Sequence, residues 1–317
     1  MSDDSVVVTG GAGFIGSHLV DRLLDVGFRV TVVDDFSTGS MSNLGKASKF
    51  GSQLEIVRQD IAGTEMLDVM ETVSPKYVFH LAAQSAVRRS ISDPMFDARI
   101  NLLGSLNIIE ASRRTGVERI LYAASGGTLY GEPDPSLLPL TELTIHQPLS
   151  NYGVSKKAVL DYLGAYRIMY GLDYVALALA NVYGPRQDPH GESGVVSIFA
   201  GNLLSGQSCV IFGDGNQTRD FVFVADVVEA YIQALHAGGG EVFNISSSAE
   251  TSVNELYWEI ARSLGTSVAP EYREGRIGEL SRSCLSNRKA GEILGWKPQV
   301  ELGDGLGRVI NWISGRR

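Results

Sequence analysis

The stretch VVVTGGAGFIGSHLV, residues 6–20, constrains the fold more than any other. Its first residues read as a buried β-strand. FIGSHLV continues at helical spacing after a turn that carries Gly10, Gly13 and Gly16. A strand that runs through glycines straight into a helix opens a βαβ unit. In that setting the missing side chains let backbone N–H groups approach a pyrophosphate, and the positive end of the helix adds to the attraction. A glycine turn alone is a weak sign. Here a second strand, RVTVV (29–33), ends on Asp34 and Asp35 about 20 residues on. A carboxylate there accepts hydrogen bonds from adenosine ribose hydroxyls and repels a 2′-phosphate, so the expected cofactor is NAD rather than NADP.

The rest of the first half keeps the same rhythm. LEIV (54–57), YVFHL (77–81), RILYAA (119–124) and LDYVALALA (172–180) read as further strands, separated by helical patterns. Alternating strands and helices predict an α/β fold with a doubly wound parallel sheet. Its ligands belong at the carboxyl ends of the strands. Asp60 and Ile61 follow strand three, Ala82 and Ala83 follow strand four, and Ser125 and Thr128 follow strand five, so these residues ring one crevice. Beyond about residue 180 the pattern loosens into a Gly/Pro-rich loop, a short strand CVIFG, and helices near 195–205, 225–237, 252–264 and 303–314. The expected organisation is a cofactor-binding lobe over 1–178 and a smaller mixed α/β lobe over 179–317, with some interleaving.

Bulk composition narrows the function. A net charge of −9 argues against a nucleic-acid partner. No apolar run approaches the ~18 residues of a membrane span. The two cysteines, Cys209 and Cys284, lie far apart, and the five histidines lack ligand spacing, so neither a disulfide framework nor a metal site is expected. The expected setting is the cytoplasm.

NYGVSKKAVLDYL (151–163) sets Tyr152 and Lys156 four residues apart, on one face of a helix. Such a pair arises by chance in many helices. Its company decides the matter. TGGAGFIGSHLV, DDFSTG, FHLAAQ, YGVSK, NVYGPRQDPHGE, IFGDGNQTRDFVFVADV and RIGELSRSCLS run in order along nearly the whole chain. In these segments the sequence resembles the extended short-chain dehydrogenase/reductase family, and within it the bacterial enzymes that epimerise UDP-hexoses at C4.

The resemblance implies that Tyr152 is the catalytic base and Lys156 its activator. A free tyrosine, with a pKa near ~10, is too weakly ionised to serve at neutral pH. A lysine ammonium and a positive nicotinamide nearby favour the phenolate. Ser125 or Thr128 would supply the orienting hydroxyl, because Gly126 stands where many relatives carry Ser or Thr. The resemblance also places Phe14, Ile15, Phe36, Ser37, Thr38, Gly39, Leu81, Gln84 and Asn101 beside NAD. It assigns Ser125, Asn181, Val195, Val196, Val210, Phe212, Arg219, Arg276, Glu279 and Ser283 to the UDP-sugar. Glu279 replaces the Asp usual in relatives. Ser283 replaces a bulky tyrosine of some relatives, which implies room for an N-acetyl group.

The implied reaction is NAD-dependent epimerisation at C4 of a UDP-hexose (UDP-glucose/UDP-galactose, with UDP-GlcNAc/UDP-GalNAc open) through a 4-keto sugar. UDP-glucuronate or UDP-pentose epimerisation is the alternative, and a non-catalytic NAD-binding sensor is a remote one. A 4,6-dehydratase would need Asp-Glu where Gly127 and Thr128 stand. A homodimer is implied through helices near 95–115 and 152–170, although Leu102, Leu106, Ile109, Val159 and Leu163 could equally face their own sheet.

Overall fold

The protein is described here from a computed structural model that covers residues 4–189, 194–275 and 280–315. Six strands come from the first half: β1 (Ser5–Thr9), β2 (Arg29–Asp34), β3 (Leu54–Arg58), β4 (Tyr77–His80), β5 (Arg119–Ser125) and β6 (Asp173–Leu179). Between them run α1 (Phe14–Asp25), α2 (Met66–Val73), α3 (Val87–Ser92), α4 (Pro94–Asp97), a π-helical turn over Ala98–Gly104, α5 (Ser105–Thr115), α6 (Gly126–Leu129) and α7 (Asn151–Tyr170). The second half adds β7 (Asn181–Tyr183), α8 (Val195–Leu204), β8 (Val210–Phe212), β9 (Thr218–Arg219), β10 (Phe221–Phe223) and α9 (Val224–Ala234). It ends with β11 (Glu241–Ile245), β12 (Thr251–Ser252), α10 (Val253–Ser263), β13 (Glu271–Arg273) and α11 (Leu302–Ser314).

The main sheet has seven parallel strands in the order β11-β6-β5-β4-β1-β2-β3. Alternation along a strand explains its two covered faces. Val6 and Val8 pack with Leu19 and Leu23 of α1 and Val227 and Tyr231 of α9, whereas Val7 packs with Ile109 of α5 and Val159 and Leu163 of α7. Fully burying one such aliphatic side chain is worth roughly 1.5–3 kcal/mol.

The six strands read from the first half lie where their β-branched runs predicted. The seventh, EVFNI in β11, did not stand out from the sequence, where it follows a helix of the second half outside the strand–helix alternation of the first. It pairs with β6 from Glu241↔Val175 to Ile245↔Leu179. Arg119 at the start of β5 fastens this edge: its guanidinium bonds Asp173 (2.8 Å) and donates to the carbonyls of Ala234, Leu235 and Ala237 at 2.8–3.0 Å.

The remaining strands form small pairs, β7 with β10, β9 with β12, and β8 with β13. They carry α8, α10 and α11 around a separate core that includes Phe199, Leu203, Tyr257, Ile260, Leu306 and Val309.

Candidate active site

Adjacent strands β1 and β4 end side by side, at Thr9 and His80. This is the point in the strand order where successive connections diverge, and a crevice opens above it. Gly10 holds φ +70°, and a Cβ there would lie 2.7 Å from the Ala82 nitrogen. A Cβ at Gly16 would lie 2.1 Å from the Gly10 oxygen, and one at Gly13 3.1 Å from it. Only glycine permits backbone packing this close. Gly13 is the N-cap of α1 and supplies no side-chain cap, so Phe14 and Ile15 open a helix whose first turn faces the crevice without a competing side chain.

Asp34, at the end of β2, is buried. Its carboxylate accepts from the nitrogens of Ala12 and Phe36, both at 2.9 Å, which ties the glycine turn to β2. Burial raises its pKa against the pull of those two bonds. Gly39 passes so close that a Cβ would sit 2.8 Å from Asp34 Oδ1. Asp35 is exposed and accepts from the Ser37 nitrogen and hydroxyl. Phe36 takes a positive φ of 60°, and Thr38 is exposed beside it. Asp60 accepts from the Ala62 nitrogen (2.9 Å) and pairs with Arg99, while Ile61 is buried. Leu81, Ala82 and Ala83 are half-buried along the crevice floor. These residues fit NAD: small residues where a diphosphate needs backbone donors, a carboxylate where ribose offers hydroxyls, and a second carboxylate at the far end.

Tyr152 and Lys156 rise from the first turns of α7. Ser150 caps this helix by accepting from the Gly153 nitrogen at 3.1 Å. Lys156 is buried, and its Nζ donates to the Ala123 carbonyl of β5 at 2.9 Å. The same Nζ lies 4.9 Å from the Tyr122 ring centre and 5.8 Å from that of Tyr152. Tyr152 is half-buried, with its hydroxyl at the deep end beside the Ser125 side chain. Burial pushes the Tyr152 hydroxyl up to about 12, the neighbouring Ser125 hydroxyl pulls it down, and the Asp97 charge adds a smaller upward push. Burial lowers Lys156 to about 8, against the opposing charge of Asp97.

The other hydroxyl considered, Thr128, makes a 3.4 Å bond to the Ser125 carbonyl. Gly126 has no room for a side chain, because a Cβ there would lie 2.3 Å from Leu285 and 3.0 Å from the Ala178 carbonyl. That close contact explains why this turn carries its hydroxyls at 125 and 128.

Behind the pair lies a polar network that joins the expected Asn101 to His80, Asp97 and Ser105, which were not evident from motifs. His80 Nδ1 meets Thr9 Oγ1 at 2.7 Å, and its Nε2 meets Ser105 Oγ at 2.9 Å. Asn101 has both amide hydrogens committed inside the protein, to the Gln84 carbonyl and to Asp97. Its Oδ1 accepts from the Gln84 nitrogen, so Asn101 shapes the Gln84 loop. Asp97, Asn101 and Ser105 recur at every fourth position, a polar stripe that the sequence does contain.

Of the residues expected beside the sugar, Asn181 has its Oδ1 at the Ser125 turn, 3.9 Å from where a Gly127 Cβ would sit. Val195, Val210 and Phe212 are half-buried, whereas Val196 is sealed in the second core and offers only its backbone to a ligand. Arg219 donates to the carbonyls of Thr218 and Leu280. Ser283 is buried beside Cys284. Asp220, unexpected from the sequence, accepts from the nitrogens of Ser247, Ser248 and Leu285 and so fixes this wall. Arg276 and Glu279 lie outside the described residues.

Among the described residues, no group of three or more His, Cys, Asp or Glu side chains could hold a metal ion, and no helix is long and apolar enough to cross a membrane.

The chain is 45% identical to a UDP-glucose 4-epimerase of Mycolicibacterium smegmatis over 98% of both chains. Its fold superposes with a TM-score of 0.95 on the UDP-glucose 4-epimerase of Thermotoga maritima solved with UDP-glucose, at 42% identity, covering 98% of this chain and 99% of the other. A second solved relative, the Thermus thermophilus UDP-glucose 4-epimerase in complex with NAD, gives a TM-score of 0.91 at 38% identity, again over 98% and 99%. The profile of the NAD dependent epimerase/dehydratase family matches residues 6–246, and the chain belongs to that family.

Proposed function

We propose that this protein is an NAD-dependent isomerase that interconverts UDP-glucose and UDP-galactose at C4. The observation that carries the reading is the meeting of the Tyr152 hydroxyl, Ser125 and buried Lys156 at the strand ends, beside the glycine turn. NAD when bound would accept a hydride from sugar C4 and return it. The chain's own residues do the rest. Tyr152 takes the proton of the C4 hydroxyl and gives it back, and Ser125 aligns the two oxygens. Lys156, with its Nζ 5.8 Å from the Tyr152 ring centre, would offset the negative charge that forms on that side chain.

Gly10, Gly13, Phe14, Ile15, Gly16, Asp34 to Gly39, Asp60, Ile61 and Leu81 to Ala83 would hold the cofactor, with Gln84 and Asn101 shaping that wall. Asn181, Val195, Val210, Phe212, Arg219 and Ser283 would hold the UDP-sugar, together with the backbone of Val196 and with Arg276 and Glu279. The boundary near residue 178 would divide these two tasks, apart from α9 and β11. Buried Ser283, a small side chain, supports tolerance of N-acetyl sugars. The setting we propose is galactose metabolism in the cytoplasm.

A homodimer accords with apolar side chains exposed on neighbouring helices: Ile91, Met95, Leu103, Val154, Tyr162 and Met169. Ile109, Val159 and Leu163 instead face their own sheet. The decisive assay is turnover of UDP-galactose without added reductant, followed by NMR. Product UDP-glucose, lost in Tyr152→Phe, is the expected result; unchanged turnover in Tyr152→Phe refutes the mechanism.

A further inference from the structure

Asp97 closes α4 immediately before the π-helical turn and is completely buried, at 0% exposure. Its Oδ1 accepts from Gln84 Nε2 (3.1 Å) and Asn101 Nδ2 (2.8 Å), and its Oδ2 accepts from Ser155 Oγ (2.7 Å). Gln84 lies in the loop after β4, Asn101 in the π-helical turn, and Ser155 in α7 next to Lys156. One carboxylate therefore ties together three walls of the crevice. Among the described residues no lysine or arginine forms an ion pair with it.

The other buried titratable groups packed around Tyr152 and Lys156 carry no charge at neutral pH. Ser105 spends its one proton on the Asn101 carbonyl at 2.6 Å, so its oxygen accepts from His80 Nε2. His80 Nδ1 is then the acceptor for the Thr9 hydroxyl. The histidine is neutral, with burial holding its pKa down to about 3. Burial pushes the hydroxyls of Tyr122 on β5 and Tyr231 on α9 upward, so both stay protonated. That leaves Asp97 and Lys156 as the two opposite charges of the buried site.

We infer that Asp97 is a positioning residue for the Tyr152–Lys156 pair: its buried carboxylate fixes Ser155, Asn101 and Gln84 and keeps the neighbouring lysine an ammonium. An ammonium stripped of water is held charged by a carboxylate at fixed distance. Without that charge Lys156 gives up its proton closer to neutrality and withdraws its support from the Tyr152 phenolate, while the smaller direct push of Asp97 on Tyr152 also disappears, so both groups titrate at lower pH. The kinetic consequence rests on the proposed epimerase reading; the charge relation does not.

Asp97→Asn tests the idea with little change of shape. The new amide oxygen can accept from Gln84 and Asn101, and its NH2 can donate to the Ser155 oxygen. Ser155→Ala is the control that removes one bond and keeps the charge. In protein purified with its cofactor and labelled with 15N-lysine, the Lys156 signal is identified by its loss in Lys156→Met and titrated by NMR. The midpoint should fall by about one pH unit in Asp97→Asn and stay in place in Ser155→Ala. Asp97→Ser, neutral and smaller, should shift it the same way. The pH profile of kcat/KM for UDP-galactose should move to lower pH with it. An unchanged midpoint in both Asp97 variants, or an equal shift in Ser155→Ala, overturns the inference. Absence of epimerase activity in the wild type would refute the functional reading, while the NMR titration would still decide the role of Asp97.

Discussion

Replacing Ser125 by alanine isolates one hydroxyl against a reacting oxygen. In the resting site the Ser125 hydroxyl lies beside a neutral Tyr152 hydroxyl. When Tyr152 loses its proton, the same hydroxyl donates to a phenolate. A hydrogen bond to a charged partner is worth about 1.5–3 kcal/mol, and each 1.4 kcal/mol is about tenfold in rate. Ser125→Ala should therefore lower kcat/KM for UDP-galactose by about 10- to 150-fold with an unchanged far-ultraviolet circular dichroism spectrum. Thr128→Ala removes only the long 3.4 Å bond to the Ser125 carbonyl and should cost less than about threefold. Gly126→Ser cannot restore the lost hydroxyl, because its Cβ would collide with Leu285 and the Ala178 carbonyl. Initial rates from NMR product signals suffice. A Ser125→Ala enzyme within twofold of wild type, or a larger loss in Thr128→Ala, would refute the assignment of the hydroxyl.

Burial lowers His18 to about 4 and His80 to about 3, both from 6.5. As pH falls below 6.5 the unfolded chain takes up protons that these folded imidazoles refuse, so stability present above pH 6.5 is lost progressively toward pH 4. Tm followed by circular dichroism should drop over that window, and less steeply in His18→Gln, whose amide can still donate to the Pro185 carbonyl. Asp34→Asn removes the charge that accepts from Ala12 and Phe36 and should raise the Kd for NAD by about 10- to 100-fold in calorimetry. An unaltered Kd would separate Asp34 from the cofactor. Leu103→Glu combined with Val154→Glu places charges on the exposed apolar helix faces and should convert a dimer to monomers in sedimentation velocity.

What the sequence made legible were features with strict local demands. The glycine turn shows because Gly10 and Gly16 occupy positions where any Cβ meets backbone. The six strands of the first half show because both faces of a parallel sheet are covered, which forces near-continuous apolar runs. Tyr152 and Lys156 were readable only as a spacing, and family resemblance singled them out from other helical pairs. Their surroundings were harder to see. Asp97, His80 and Asp220 act through partners 13 to 71 residues away in the chain, such as Gln84, Thr9 and Ser247. Nothing local to a buried polar residue says which distant donor will satisfy it. The β11 edge was missed for a similar reason: EVFNI becomes a strand through its pairing with β6.

That seventh strand bears on how the chain is made. On a ribosome, β1 to β6 emerge well before β11, which appears only after residues 180–240 have been made. Until then the Val175–Leu179 edge has no neighbour, and the Arg119 guanidinium lacks the three carbonyl acceptors at the end of α9. The nascent first lobe thus carries an open, apolar strand edge of the kind that invites pairing between chains. Neither lobe can mature alone, and a fragment ending at residue 178 should be a substrate for chaperones and proteases rather than a minimal NAD-binding domain.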